Sequence, residues 1–544
     1  MLADVFRQTI ARGLQRKAIR TCSKWARLYR IMGPPHPGPW GPGPAPWTLD
    51  MHDSLAPVNI GQKSAQMGYT ETALNITLYK IDIENLDCLY VLPAKTPDAS
   101  EFSAARFDPA IELSTHISSM FSSVKNVGHK RAGAVNLYIR GSNSRSALKS
   151  IPVAFIVFDE LDEMNQDNIP LAEERTSGRE NPQIWKISTP TLPNEGINEL
   201  FLESTQEHYE FICPFCSRII ELIWPDAIKI IGDHHSNCED SHLQCPKCKH
   251  KLDHETKTIW LADGKWTPYG DASLDVRGFY INQLYSIKRR PEEVVKLYFK
   301  GLIDKASEQE FFNSKLGLPH IVKGAQVQAH EVNRARGSRR KDDPLPDNKI
   351  ITMGVDQGRW LYYEIVAWDF ESLGNDLNMS AKANVLAEGK VVDFEDLDVL
   401  MRQYQVLKCV IDAQPDRRKA YEFACKYWGH VLLCFYARGQ MGKMITIDPS
   451  TEQHKITVDR TSWLDVSLNR FRLKTITLPQ DLSEEYPEHI QNLVKHYKTD
   501  KYGNPMGEYR NMGPDHLAHA HCYAEIALPL AAALTTNKNV RIYL

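Results

Sequence analysis

Short apolar runs, each closed by a turn or acidic residue, recur along the chain and predict alternating strands and helices. Leu86–Leu92 and Val153–Phe158 have the unbroken apolar character of strands buried on both faces of a parallel sheet. ETALNITLYK, just after Thr70, reads as a helix. A second set begins with Ile350–Val355, Trp360–Trp368, Asn384–Val392, Leu407–Ile411 and Val431–Phe435. It continues into a largely helical tail with Pro514 near the start of its last helix. Between the two sets, from Lys323 to Asn348, the chain turns polar and carries Arg336, Arg339, Arg340 and Lys341 ahead of two prolines, as a basic linker would. At the N-terminus, Leu2, Phe6, Ile10 and Leu14, then Trp25, Leu28 and Tyr29, recur at helical spacing on a strongly basic segment. The Gly33–Pro46 run is too rich in Gly and Pro for either regular element and reads as a spacer. Trp40 and Trp47 are unusual in a spacer and are expected to pack on something, a nucleotide base among the candidates. The apolar stretch Ile526–Leu534, interrupted by Pro529, falls short of the ~20 residues of a membrane span, so no transmembrane helix is expected.

Composition narrows the class. A chain of 544 residues is several domains at ~100–200 residues each. With 42% hydrophobic and 24% charged residues it is folded, not fibrous or disordered. Lys plus Arg number 65 against 68 Asp plus Glu. That balance excludes a small basic nucleic-acid-binding domain and leaves room for local basic patches. Eleven cysteines, four of them in two C-x-x-C pairs, point to a metal site in a reducing compartment. The N-terminus lacks the apolar core of a secretory signal.

Four constellations carry chemistry. In VAFIVFDELDEM, a buried strand ends in Asp159-Glu160. This is what a Walker B motif requires: Asp to hold Mg²⁺ and Glu to polarise water at the sheet's carboxyl edge; an ordinary strand ending in an acidic turn is the alternative. Upstream, Lys63-Ser64-Ala65-Gln66-Met67-Gly68-Tyr69-Thr70 lacks the standard phosphate-loop pattern. Gly68 and Thr70 nevertheless stand where the second glycine and the Mg²⁺-binding hydroxyl belong. Tyr69 takes the usual lysine position, and Lys63 at the loop entrance could reach back to the phosphates. Ser188 and Thr189, at another strand end, suit a γ-phosphate sensor. Cys213/Cys216 and Cys245/Cys248 have the spacing of a structural Zn²⁺ ribbon, whereas a redox pair would not explain the duplication; Cys238 and the nearby histidines read as bystanders. Asp356 and Asp412 end two strands, and Asp515 lies in a later helix. Three such carboxylates can converge on a pair of Mg²⁺ or Mn²⁺ ions, and the strand order suits an RNase H-like nuclease. His516 and His519 lie beside Asp515, each a metal ligand, a base or a surface residue.

In this order, GPGPAPWTLD, QKSAQMGYTETALN, LYIRGSNSRSALKSIPVAFIVFDELDEM, ISTPT, the CPFC/CPKC insert, GFYINQLYS, FFNSKLGLP, MGVDQG, VIDAQPD and GPDHLAHAHCYAEIA resemble the large terminase subunit of tailed bacteriophages, lambda-like branch. The resemblance implies an α/β chain: a P-loop NTPase-type, mostly parallel sheet domain with a zinc-ribbon insert, then an RNase H-like nuclease. Residues 1–50 would be a basic arm and Gly/Pro linker, 51–325 the ATPase with its insert near 206–260, 326–348 a basic linker, 349–530 the nuclease and 531–544 a tail. The deviant Walker A begins at Lys63 and includes Ser64, Gln66, Gly68, Tyr69 and Thr70. By the same resemblance Asp159 and Glu160 would be the Walker B pair, Ser188-Thr189-Pro190 the coupling motif, and Asp356, Asp412 and Asp515 the nuclease acids. His519 stands where many relatives have a further Asp, making it a candidate ligand of the second ion. The resemblance also implies ATP, Mg²⁺ and structural Zn²⁺ as cofactors. The implied partners are double-stranded DNA, a small terminase subunit, the procapsid portal protein and further copies of the chain, in the cytoplasm of an infected bacterium and away from membranes. Arg140, Arg145, Lys149 and Arg336–Lys341 are candidate DNA phosphate contacts. A helicase-type ATPase with an appended nuclease, or a zinc-dependent assembly scaffold, would share parts of this pattern.

Overall fold

A computed structural model describes residues 19–34, 37–121, 124–149, 151–370, 377–437, 445–447, 454–499 and 504–535. The helical spacing over 1–18 and the tail from 536 lie outside the described residues. The chain forms two compact units, Met1–His320 and Ile321–Leu544.

The first unit is built on seven parallel strands: β1 (Val58–Lys63), β2 (Cys88–Leu92), β3 (Val135–Gly141), β4 (Phe155–Asp159), β5 (Gln183–Ser188), β6 (Glu207–Ile212) and β7 (Val276–Ile281). Their spatial order is β6-β7-β1-β5-β4-β2-β3. β2 and β4 are buried throughout, which is why their sequences are apolar without alternation. Short antiparallel strands extend both edges. Helix α1 (Tyr69–Tyr79) follows β1. Asn313–Gly317 braces the connecting loop: the Ala65 N–H donates to the Ser314 carbonyl at 2.8 Å, and the Gln62 side chain donates to the Gly317 carbonyl at 3.0 Å.

The Gly/Pro run is not a free spacer. Trp47 is buried, donates its indole N–H to the Met67 carbonyl at 2.9 Å and meets Tyr209 and Tyr285 edge-on. A base cannot stack on a ring so enclosed. Trp40 packs on His52. Proline and glycine forbid helix and ladder here, but two aromatic anchors still fasten the segment.

The second unit has β8 (Ile350–Gln357), β9 (Leu361–Asp369), β10 (Lys382–Val391), β11 (Lys408–Asp412), β12 (Val431–Ala437) and β13 (Lys455–Asp459), ordered β13-β12-β11-β8-β9-β10. β8, β9 and β10 form an antiparallel meander, and β8, β11, β12 and β13 run parallel. Helix α2 (Arg460–Leu473) and the final helix α3 (His516–Thr535) complete the core. The tail, read as largely helical, also contains Ile445–Ile447, Ile476–Thr477 and the hairpin Leu493–Thr499/Pro505–Asn511. Lysines and arginines along the hairpin mask its alternation. The basic segment after Lys323 likewise belongs to this unit: Val327 and Val332 are in its core. Arg339 donates to the Asp343 and Pro344 carbonyls at 2.8 Å, and the Lys341 ammonium lies 2.6 Å from Glu388. Those charges are satisfied internally, leaving Arg336 and Arg340 exposed.

Helix α3 corrects the membrane arithmetic. Its His516–Leu534 stretch is long and apolar enough to cross a membrane by length and composition, and 89% of the qualifying window is buried inside the protein. It is a core helix lying directly on β8. A Cβ at Gly354 would run into the backbone of Ala520 and Ala524, and the Thr352 hydroxyl donates to the Ala524 carbonyl at 2.9 Å. Gly354→Ala should therefore force α3 off the sheet and destabilise the second unit by at least about 2 kcal/mol, visible as a lowered melting temperature.

Candidate active sites

Three loops, after β1, β4 and β5, meet at the carboxyl edge of the first sheet. The Lys63 side chain is almost wholly buried, and its ammonium donates to Glu160 Oε1 at 2.9 Å and to the Thr189 hydroxyl at 3.5 Å. A buried ammonium is stable only when paired in this way. Glu160 pays for the contact with a left-handed backbone, φ +64°, a conformation costing about 1–3 kcal/mol for a non-glycine residue. The two oxygens of Asp159 are taken by the Thr70 hydroxyl, 3.3 Å, and the Tyr90 hydroxyl, 2.7 Å. Burial pushes Asp159 up to about 6, with the Glu160 charge adding and Lys63 opposing.

Lys63, Thr70, Asp159, Glu160 and Thr189 are thus brought together. Ser64 is buried beside them, its hydroxyl without a partner among the described residues. Gly68, with φ +86°, precedes α1 and leaves the helix's first N–H groups at the loop. Gln66 is exposed and, with Gly68, lines a 730 Å³ cavity bounded also by Trp40, His52, Glu71 and Ser286–Lys288. Two expected side chains point elsewhere. Tyr69 is a core ring lying over Gly61 with its hydroxyl 3.4 Å from the Phe279 carbonyl. Its size and apolar face draw it inward, so only its backbone can serve the loop. The Ser188 hydroxyl accepts the Asp162 N–H at 3.1 Å, supporting the turn after Glu160.

Tyr90 and Asp162 escaped the motif reading. Tyr90 looks like one more apolar strand residue. Asp162 accepts the Ile197 N–H at 2.8 Å and both the N–H and hydroxyl of Thr191 at 2.9 Å. It ties the Walker-B-like turn to the segment after β5.

Beyond the carboxyl end of β6, the sulfurs of Cys213, Cys216, Cys245 and Cys248 all lie within 4.8 Å of one another. Each pair sits on a tight turn: the Ser217 N–H donates to the Cys213 carbonyl and the Lys249 N–H to the Cys245 carbonyl. The linked thiols move in opposite directions: burial pushes Cys213 up to about 12, whereas N–H groups of Cys248 and Lys247 together with neighbouring thiols bring Cys245 down to about 7 against burial, making it the member most disposed to the thiolate. Cys238 stands apart, against the His235 and Glu292 carbonyls.

In the second unit, Asp356 and Asp412 end the adjacent parallel strands β8 and β11. Asp515 immediately precedes α3 rather than lying within it. Burial, with the Asp356 charge adding, pushes Asp412 up to about 6. His516 hydrogen-bonds Asp356 Oδ2 at 2.8 Å and stacks on Tyr362. His519 Nε2 is 3.4 Å from Asp515 Oδ2, its Nδ1 is 3.0 Å from the Tyr436 hydroxyl, and the Arg460 guanidinium is 3.4 Å from its Nε2. Although burial would raise Asp515, His519, His516 and Arg460 hold it below the ordinary carboxylate range. Tyr436 and Arg460 carried no recognisable signal in the sequence. Of the candidate phosphate contacts, Arg145 and Lys149 are exposed, whereas Arg140 donates to the Gly128 and Ile139 carbonyls.

The family described as Phage terminase large subunit gpA, ATPase domain, matches residues 35–266. The one described as Terminase large subunit gpA, endonuclease domain, matches residues 276–476. Together they span most of the chain. Among solved structures, the HK97 bacteriophage large terminase is 12% identical, covering 94% of this chain and 99% of its own, with a TM-score of 0.47. The Thermus phage P74-26 large terminase ATPase domain is 13% identical over 50% of this chain and 92% of its own, TM-score 0.32. The large terminase nuclease of thermophilic phage G20c is 12% identical over 37% and 97%, TM-score 0.22. No curated protein matches the sequence.

Burial raises Asp162 from 3.8 to about 7. The folded state therefore holds this proton better than the unfolded chain does. Its contribution to stability is full below 3.8 and lost as pH rises through about 7. Urea denaturation should show a wild-type advantage over Asp162→Ala that is larger at pH near 5 than near 8; a pH-independent difference would contradict the assignment.

Proposed function

The chain belongs to the phage terminase large subunit gpA family, and from that premise we propose which of its residues carry the family's two activities. It is an ATPase joined to a metal-dependent endonuclease, the large subunit of a viral terminase. We assign the ATPase to the first compact unit and the nuclease to the second. The observation that carries the ATPase assignment is the buried Lys63 ammonium bonded to Glu160 beside Asp159 and Thr70. In this reading Lys63 supplies the cation of the phosphate loop from its entrance, while the α1 N-terminus and the Ser64 hydroxyl bind phosphate oxygens. The 730 Å³ cavity takes the base beside Trp40. Mg²⁺, held by Thr70 and Asp159, neutralises phosphate charge when bound. Tyr90 fixes the Asp159 carboxylate, Glu160 accepts the proton of the attacking water, and Thr189 lies within reach of the same lysine to sense the γ-phosphate.

Mg²⁺ or Mn²⁺ suits the carboxylates of Asp356, Asp412 and Asp515, and would there supply Lewis acidity for phosphodiester cleavage. The Asp356 charge adds to burial in raising Asp412, so the two carboxylates lie close enough to repel, a repulsion that a shared cation would relieve. His519 is committed to Tyr436 and Asp515, which favours a positioning role over ligation. Zn²⁺ fits the four thiols by geometry and chemistry. Double-stranded DNA is the nuclease substrate we propose and the load that ATP hydrolysis moves. The small terminase subunit, the portal protein and further copies of this chain are its partners in the host cytoplasm, and exposed Arg145, Lys149, Arg336 and Arg340 are phosphate contacts.

ATP-driven packaging of DNA into purified procapsids with the small subunit tests the whole reading; unwinding without packaging would favour a helicase. Glu160→Ala should lower DNA-stimulated ATP turnover at least about 100-fold, and equal rates would remove this site from the chemistry. Asp356→Ala should abolish Mg²⁺- or Mn²⁺-dependent plasmid cutting while sparing ATP turnover. Metal analysis should find one Zn per chain, lost in Cys245→Ser.

A further inference from the structure

The segment Asn282–Lys288, which leaves the end of β7, is held almost entirely by the cysteine-knuckle insert. The Asn282 amide donates to the Leu222 carbonyl at 2.8 Å. The Leu222 N–H donates to the Tyr285 hydroxyl at 2.9 Å, and that hydroxyl donates to the Tyr209 carbonyl at 2.5 Å. The Lys257 ammonium donates to two carbonyls of the segment, Leu284 at 2.9 Å and Ser286 at 2.8 Å, and His254 hydrogen-bonds the Ile287 carbonyl at 3.1 Å. Leu222, His254 and Lys257 belong to the insert, and Tyr209 lies on β6, the strand from which the insert springs.

The other face of the same segment meets the phosphate loop and the cavity. The Gln283 amide donates to the Ala65 carbonyl at 3.0 Å, and Ser286, Ile287 and Lys288 form one wall of the 730 Å³ cavity. A second relay runs parallel to it: just beyond the insert, Trp266 donates to the Trp47 carbonyl at 2.8 Å, and Trp47 donates to the Met67 carbonyl at 2.9 Å.

We propose that Lys257 is a positioning residue for nucleotide binding, through which the knuckle insert sets the wall of the nucleotide cavity. The physical argument is the cost of its place. Lys257 is only 1% exposed, burial draws it down to about 7, and its ammonium donates to two backbone carbonyls two residues apart. An ammonium is tolerated there only while both carbonyls converge on it, so it fixes the curvature of Leu284–Ser286 and hence where Ser286–Lys288 stand. A methionine would fill the same space and release both carbonyls.

This inference rests on reading the cavity as the nucleotide site. The test is titration of the full chain with a fluorescent ATP analogue and Mg²⁺, alongside steady-state ATP turnover, for wild type, Lys257→Met, Lys257→Arg and Gln283→Leu. Lys257→Met should raise both the Kd and the KM about tenfold with kcat changed less than about twofold. Lys257→Arg, which can still reach two carbonyls, should recover most of the loss. Gln283→Leu should weaken binding in the same way, and it decides the matter if the methionine variant does not fold. A lowered melting temperature with unchanged Kd and KM would overturn the inference and leave the nucleotide reading standing. A wild-type chain that does not bind the analogue would overturn both.

Discussion

A buried lysine that must find a carboxylate organises the first unit. Lys63 ends β1 and Glu160 follows β4, and the two strands are separated by β5 in the sheet. Their contact fixes the spacing of the whole carboxyl edge. It requires a left-handed residue immediately after the buried strand, so the following turn must be held down, and Asp162 does so through Thr191 and Ile197. It also leaves Asp159 buried next to a second acid, which is tolerable only because Tyr90, Thr70 and Lys63 surround it. One ion pair thus accompanies a strained turn and the clamp that holds it, while burial, against the pull of Lys63, raises the neighbouring carboxyl.

The second unit solves the like-charge problem differently. Its acids come from two neighbouring strand ends and from the start of α3, and each outer acid has its own histidine: His516 on Asp356, His519 on Asp515. Behind them, Gly354 lets α3 lie on β8 at backbone distance, and buried pairs tie the same helix to its neighbours, Glu525 to Arg470 of α2 and His521 to Glu364 of β9. The glycine in MGVD and the small residues of α3 are one packing device seen from two sides.

Much of this was legible in the sequence, for identifiable reasons. An apolar strand ending in two acids, two cysteine knuckles and acids at strand ends are local patterns, and their chemistry constrains spacing tightly. The parallel strands were visible because burial on both faces removes alternation. What stayed hidden joins distant residues: Tyr90 to Asp159, Asp162 to Ile197, Lys257 to Ser286. Nothing in the windows around those residues distinguishes them from an ordinary core tyrosine, turn aspartate or surface lysine. Tyr69 was misread for the same reason, because a motif position says which residue follows the loop but not which way its ring turns. The Gly/Pro run reads as a spacer because its composition describes backbone freedom, and the packing expected of its tryptophans is met by Trp47 reaching Met67 and Trp40 lying on His52.

The three acids of the second unit do not arrive together during synthesis. Asp356 and Asp412 emerge from the ribosome with β8 and β11, but Asp515 is supplied only when α3 follows them and lies down on Gly354. Until then the sheet lacks both its covering helix and its third carboxylate. A nascent chain can complete the Lys63–Glu160 edge while the second unit still lacks Asp515, so, with cutting assigned to these acids as proposed, the order of translation itself would keep an unfinished polypeptide from being a finished nuclease.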